Sequence, residues 1–397
     1  MESPMRIRMW FSNVLFLLAA GIALLAAAGP DAGAADAGAG PLPSDPARLR
    51  ILDNRYPRVL LFRQSEFIPG AMSVDTFCRE VDVAMGHIGK CLREELNHHP
   101  SHIEYHREYK RCHPDKAVLL HFNAKSRQPW FGLERYHDGH WLYFNGCTVA
   151  NDLPAAEEES VLHVTDARLF RIDYGKNGRG HDDVAICRLR GDGTPDWSYC
   201  EQARVLSVDR EAGTIRVQRG IQGSERLSFR GGETYTAAHV YDGPFGGLGK
   251  SEQFLWAYNL SETCPRDENG RTCADVLAGE VASWFVPGGQ LDLFDGVQFD
   301  VLHHDFKAVS RMIWKTPYRD IDADADGTAD EGTLDGVHVF GNGTIDFLRT
   351  LRNLMPKDKL ILADTSPHMQ RATGIVNGIE TEGWPIKADH EIEMWSS

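Results

Sequence analysis

Positive charge is scarce in this chain: 42 Lys and Arg stand against 57 Asp and Glu, for a net charge of −15. Phosphate backbones need a basic footprint, so nucleic acid is excluded as the main partner. Zinc-type cysteine spacing is missing. No CxxC pair occurs and no histidine stands at finger-like distance from a cysteine, which argues against a structural zinc site. No HExxH occurs, and the Gly-rich tract at residues 245–249 neither follows a strand nor opens a helix, so no nucleotide fingerprint and no organic cofactor are expected. The apolar run at residues 14–28 is too short for an ordinary spanning helix. What remains is an ordinary globular composition, 42% hydrophobic and 25% charged, which excludes wholesale disorder, collagen and long coiled coil.

That short apolar run follows Arg6 and Arg8 and ends in Ala26-Ala27-Ala28. A basic start, an apolar core and small residues at its end describe a secretory signal peptide over residues 1–28. No cysteine follows directly, so a lipid anchor is not expected, and an uncleaved N-terminal anchor is the competing reading. Residues 29–46 are rich in Ala, Gly, Pro and Asp and read as a flexible linker. The mature protein is therefore expected to be secreted or periplasmic, with no stable membrane partner after cleavage. In that compartment the eight cysteines favour disulfides. Cys187 and Cys200 flank a turn sequence (Gly191-Asp192-Gly193-Thr194-Pro195-Asp196), and Cys264 and Cys273 flank another around Asn269-Gly270.

Three regions follow. Residues 47–155 contain buried apolar runs at 59–62 and 117–122, with helical spacing at 75–96 between them, which suggests parallel strands covered on both faces. Residues 156–248 change to short strands spaced by turns (169–173, 184–189, 204–208, 214–218, 226–229 and 234–240), and read as an inserted antiparallel β module. From residue 249 the strand–helix rhythm returns: strands at 254–259, 294–300, 359–364 and 374–380, and helices at 276–285 and 345–355, the latter with Leu348, Leu351 and Leu354 on one stripe. The expected fold class is α/β: a (β/α)8 TIM-type barrel with the inserted module. Only six barrel-type strands can be counted, near residues 59, 118, 254, 297, 361 and 377, whereas a closed barrel has eight. The expectation is a barrel lacking its last strands, in a region 249–397 that is C-terminally incomplete.

In such a barrel the working residues sit at the C-terminal ends of strands. Here these are Asn259, Asp300, Asp364, and Glu380 or Glu382. Carboxylates from different strands facing one another across a mouth are what glycosidic bond cleavage requires: one acid protonates the leaving oxygen and one carboxylate acts as nucleophile or base.

The ordered set Phe294-Asp295-Gly296-Val297-Gln298-Phe299-Asp300, then residues 320–330, then Leu360-Ile361-Leu362-Ala363-Asp364, then Asn377-Gly378-Ile379-Glu380-Thr381-Glu382-Gly383-Trp384 resembles the glycoside-hydrolase-like TIM barrels related to endo-α-1,4-polygalactosaminidases. The tract 256–265 resembles the same group. The resemblance covers roughly residues 255–384, with weaker support at 59–62 and 117–122. It implies a hydrolase acting on a polysaccharide or oligosaccharide, with a fourth-strand Asp and a sixth-strand Glu as the catalytic pair. Asp300 matches the first and Glu382 the second; Glu380 shares the strand face of Glu382, and the pattern does not separate them. Asn259, Asp364, His303 and Trp384 are the expected substrate-binding residues. The alternatives are a non-catalytic carbohydrate-binding protein and a Ca²⁺-stabilised envelope protein.

A second constellation lies in the loop 320–335. Asp322, Asp324, Asp326 and Asp330 occupy positions 1, 3, 5 and 9, with Gly327 at the sharp turn. Alternate carboxylates around a glycine suit a hard cation, and Ca²⁺ in a structural role is expected. Thr333 stands where an EF-hand has its bidentate Glu, so this reads as an isolated loop. His98, His99, His102, His106 and His113 form a dense patch that reads as a polar helix face, and Trp256 reads as core.

Overall fold

The structure is a computed structural model. It describes residues 60–62, 86–89, 101–174, 180–242, 255–302, 317–364 and 372–380. Its larger architecture is mixed α/β, with one parallel sheet and one antiparallel sheet of six strands each.

The parallel sheet consists of β1 (Leu60–Phe62), β2 (Gly86–Gly89), β3 (Ala117–Asn123), β4 (Gly296–Asp300), β5 (Leu360–Asp364) and β6 (Gly378–Glu380), and its spatial order is the chain order. The β3 run Ala117-Val118-Leu119-Leu120-His121-Phe122 is buried throughout, as a strand covered on both faces must be. Val118, Leu120 and Phe122 join Val297, Phe299, Ile361 and Ala363 in the main core. They pack under two helices, α2 (Cys273–Phe285) and α3 (Val339–Leu354); α1 is the earlier helix Ser101–Cys112. Phe122 meets Trp284 edge-on and Phe299 meets Phe347, with ring centroids 5.4 Å apart in both cases. Thr272 and Asp275 form a capping box that starts α2, and Ile345, Leu348 and Leu351 give α3 its buried stripe. Leu354, the expected last member of that stripe, is exposed.

At the other end of the strands, Lys110 on α1 reaches Asp295 at 2.7 Å, and Asp295 also accepts the Val118 amide. This ties helix, β3 and β4 together at the sheet's N-terminal edge. Gly296 opens β4 at φ 151°, where a Cβ would lie 2.0 Å from the Leu360 carbonyl, so only glycine lets β4 start this close to β5.

Two expectations are corrected. The segment near residue 254 does not join the parallel sheet. Leu255–Ala257 pairs antiparallel with Tyr241–Asp242 and with Ser126–Arg127. Its apolar run is buried because it bridges the module to the rest of the chain, and apolar content alone does not report the partner. Conversely, the helical spacing at 75–96 hides a strand: Gly86–Gly89 lies between β1 and β3. Among the described residues no pairing joins β6 back to β1.

The antiparallel sheet runs Cys147–Val149, Thr234–Ala238, Asp183–Leu189, Pro195–Asp209, Thr214–Arg219 and Glu159–His163 in spatial order. The hairpin at 209–214 forms as its residues direct, with Asp209 accepting the amides of Glu211 and Ala212 and Gly213 at φ 64°. The stretch 226–229 makes no strand of its own, and Phe229 only bridges to Leu153. Behind this sheet Asp182 and Arg319, both fully buried, pair, and Tyr241 donates to the same carboxylate at 2.9 Å. No helix among the described residues is long and apolar enough to cross a membrane.

Candidate active site

The C-terminal edge of the parallel sheet gathers polar residues in one row. Asn123 on β3 is the register partner of Asp300 on β4. Phe299 pairs with Ala363, which brings Asp300 level with Asp364, and Asp364 pairs in turn with Glu380 on β6. Positions in register across neighbouring strands share a face. Three acidic positions on three adjacent strands therefore stand side by side, with Asp364 between Asp300 and Glu380, and Asp300 next to Asn123. The other expected site residues, His303, Glu382 and Trp384, lie outside the described residues.

Asp300 is half-buried, and two residues below it on the same face lies a polar pair that the strand pattern conceals. His121 Nδ1 is 2.7 Å from Gln298 Oε1, and His121 Nε2 is 3.4 Å from Asp300 Oδ2. Both His121 and Gln298 are about 1% exposed. In the runs Ala117–Asn123 and Gly296–Asp300 these are the polar residues two places before the strand end. That period-two spacing to Asn123 and Asp300 is the signal that could have found them. Immediately after Asp300, Val301 adopts φ 51°. A β-branched residue in the left-handed region costs about 1–3 kcal/mol, a strain that clusters at functional sites.

Asn259 is not on this rim. It is fully buried beside the module, where its amide donates to the Ala323 carbonyl at 2.9 Å and accepts the Ser261 amide at 3.1 Å. The expectation of substrate contact is replaced by a structural one: Asn259 fastens the acidic loop. Trp256 is core, as expected, with its indole donating to Asp183 at 3.0 Å. His106 departs from the expected polar face; it is buried against the edge of Phe294. Asn377, the first residue of the NG motif, is a strut whose Oδ1 accepts the Ile361 amide at 2.9 Å and the Arg352 guanidinium at 2.5 Å.

In the acidic loop, Asp322, Asp324 and Asp330 bring carboxylate oxygens within 4.8 Å of one another. Asp326 is not among them; its carboxylate accepts the Thr328 amide at 2.7 Å. Asp322 is fully buried. Burial and the neighbouring Asp324 and Asp326 push its carboxyl up to about 9. The loop is held from outside as well: Trp197 Nε1 donates to the Ala325 carbonyl at 2.9 Å, opposite the bond from Asn259 to Ala323.

Beside this loop opens a cleft of about 790 Å³, lined among others by His137, Asp138, Trp197, Arg271, Asp324 and Asp326. Asp138 accepts Gln202 Nε2 at 2.7 Å, yet burial pushes its carboxyl up to about 6. A free Asp titrates near 3.9. Between about pH 4 and pH 6 the folded protein thus holds a proton that the unfolded chain has lost, and stability falls as pH rises through that window. Asp138→Asn is expected to gain about 2 kcal/mol at pH 7 and nothing below about pH 4, as measured by urea unfolding at both values. An equal gain at both would assign the effect to something other than the buried charge.

No protein-family description matches the chain, and no curated protein matches it either. Among solved structures, the chain is weakly similar to pyruvate kinase from Pyrobaculum aerophilum (10% identity, 84% of this chain and 71% of that one, TM-score 0.21). It is weakly similar too to Cryptosporidium parvum pyruvate kinase (9% identity, 80% and 64%, TM-score 0.22), of which it spans under two thirds.

Proposed function

We propose that this chain is an exported glycoside hydrolase of the (β/α)8 type, acting on an extracellular or envelope polysaccharide with Asp300 and either Glu382 or Glu380 as its carboxylate pair. The observation that carries the reading is the register row: Asp300, Asp364 and Glu380 stand at the C-terminal ends of three adjacent parallel strands. That edge is where barrel enzymes place their chemistry. Six parallel strands in chain order are the sheet order of such a barrel and not of a doubly wound sheet, whose order reverses. A screen of neutral, amino and acidic polysaccharides with reducing-end detection tests it. Release of new reducing ends is the expected result, and no release from any of them would leave the reading without a reaction.

Export is supported by the signal-type start and by the cysteines. Cys187 and Cys200 are register partners on adjacent strands, with sulfurs 2.7 Å apart, so oxidation needs only a small adjustment.

The acidic loop fits Ca²⁺ as a structural ion. Asp322, Asp324 and Asp330 would hold it, because three carboxylates and no softer donors suit a hard cation. A bound ion would also neutralise the buried Asp322. Saturating Ca²⁺, about 100 times its Kd, is expected to add about 2.7 kcal/mol, or roughly 5–10 °C in Tm. Asp324→Asn should cancel the shift in differential scanning calorimetry. A wild-type Tm that is the same in Ca²⁺ and in chelator would remove the ion from the account.

A further inference from the structure

The side-chain amide of Gln298 is oriented by the backbone. Its Nε2 donates to the carbonyl of Phe299 at 3.2 Å, and a carbonyl oxygen can only accept. Oε1 is thereby the atom that faces His121 Nδ1 at 2.7 Å. An amide oxygen also only accepts, so Nδ1 carries the hydrogen. The other ring nitrogen, Nε2, lies 3.4 Å from Asp300 Oδ2. A lone pair on nitrogen facing an ionised carboxylate oxygen is repulsive, whereas a proton between them makes the contact attractive.

We propose that His121 is a positioning residue for Asp300: its ring is locked as the Nδ1–H form by Gln298, which turns Nε2 toward Asp300 Oδ2, and this pair holds one proton, on Nε2 or on Oδ2. The lock is rigid because sheet pairing sets it. His121 and Gln298 are register partners, as are Asn123 and Asp300, and both members of the lower pair are buried. That proton can sit on either residue with no change in the net charge of the pair, which lets the carboxyl serve as proton donor or as carboxylate without changing the charge of the interior. What Asp300 does with that proton rests on the hydrolase reading; where the proton is does not.

The test is ¹⁵N NMR of the full chain labelled at histidine. The expected His121 signal has a protonated Nδ1, and Asp300→Asn moves the Nε2 resonance. Gln298→Leu releases the ring and populates the Nε2–H tautomer, whereas Gln298→Glu, which keeps an acceptor, preserves Nδ1–H. A wild-type ring with bare Nδ1, or an Nε2 resonance that Asp300→Asn leaves in place, overturns the proposal. Both readings use the wild type or a near-isosteric variant of a half-buried residue, so misfolding of the Leu variant does not decide the outcome. On a polysaccharide found by the screen, Gln298→Leu is expected to lower kcat about 10- to 100-fold at unchanged KM, because the nucleophile or acid is misaimed while the binding surface is intact. A screen with no hit would sink the hydrolase and leave the tautomer result standing.

Discussion

Asp300→Asn should lower polysaccharide cleavage by about 10³-fold or more while leaving Tm within about 2 °C of wild type. The amide matches the carboxyl in shape, and Asp300 stands half-buried at a strand end, so little packing changes. What it loses is the ability to give or take a proton and to attack as an anion. Glu382→Gln and Glu380→Gln in parallel decide which of the two is the partner, since the essential one must show a loss of the same order. Measured initial rates with reducing-end detection, beside calorimetry for the fold, separate the two effects. Activity retained in Asp300→Asn would transfer the chemistry elsewhere, and the 790 Å³ cleft around Asp138 would be the place to look.

Glu280→Ala should destabilise the fold by about 3–5 kcal/mol, the usual cost of stranding a buried charge. Glu280 projects from α2 and accepts from Arg127 at 2.7 Å, from Tyr136 at 2.7 Å and from Arg135. Arg127 is fully buried, with Phe131, Tyr136 and Tyr258 rings around its guanidinium and its Nε donating to the Tyr258 hydroxyl at 2.6 Å. Without Glu280 that cation has aromatic faces and neutral oxygens but no counter-ion. The double replacement Arg127→Met with Glu280→Leu removes both charges and should recover most of the loss, since an apolar pair of similar volume has no ion to desolvate. Urea unfolding of the three variants checks this. A double variant as unstable as Glu280→Ala would mean that helix packing, not the charge, is at stake.

Much of this was legible in the residues, and the parts that were not have physical reasons. Continuous apolar runs identified β3, β4 and β5, because strands buried on both faces leave little room for polar side chains. The same rule misread residues 255–257, since a buried strand looks alike whether its neighbours run parallel or antiparallel. It also passed over Gly86–Gly89, four residues with too little apolar content to register. At the site, acidic strand ends were visible because they interrupt hydrophobic sequence. His121 and Gln298 were not, because each is flanked by apolar residues on the opposite face. Asn259 was misassigned for a related reason: a polar strand end can face a ligand or a neighbouring loop, and only the position of residue 323 distinguishes the two.

The two clasps on the acidic loop carry a consequence for how any ion is held. One comes from 64 residues away in sequence and the other from 128. The curvature that gathers Asp322, Asp324 and Asp330 is held by hydrogen bonds within the loop together with the clasps from Asn259 and Trp197, and a synthetic peptide of the same sixteen residues would keep the first and lack the second, bearing more of the ordering entropy alone. On the calcium reading, ion affinity would be a property of the assembled chain, and transplanting the motif into another scaffold would carry over its charges without these clasps.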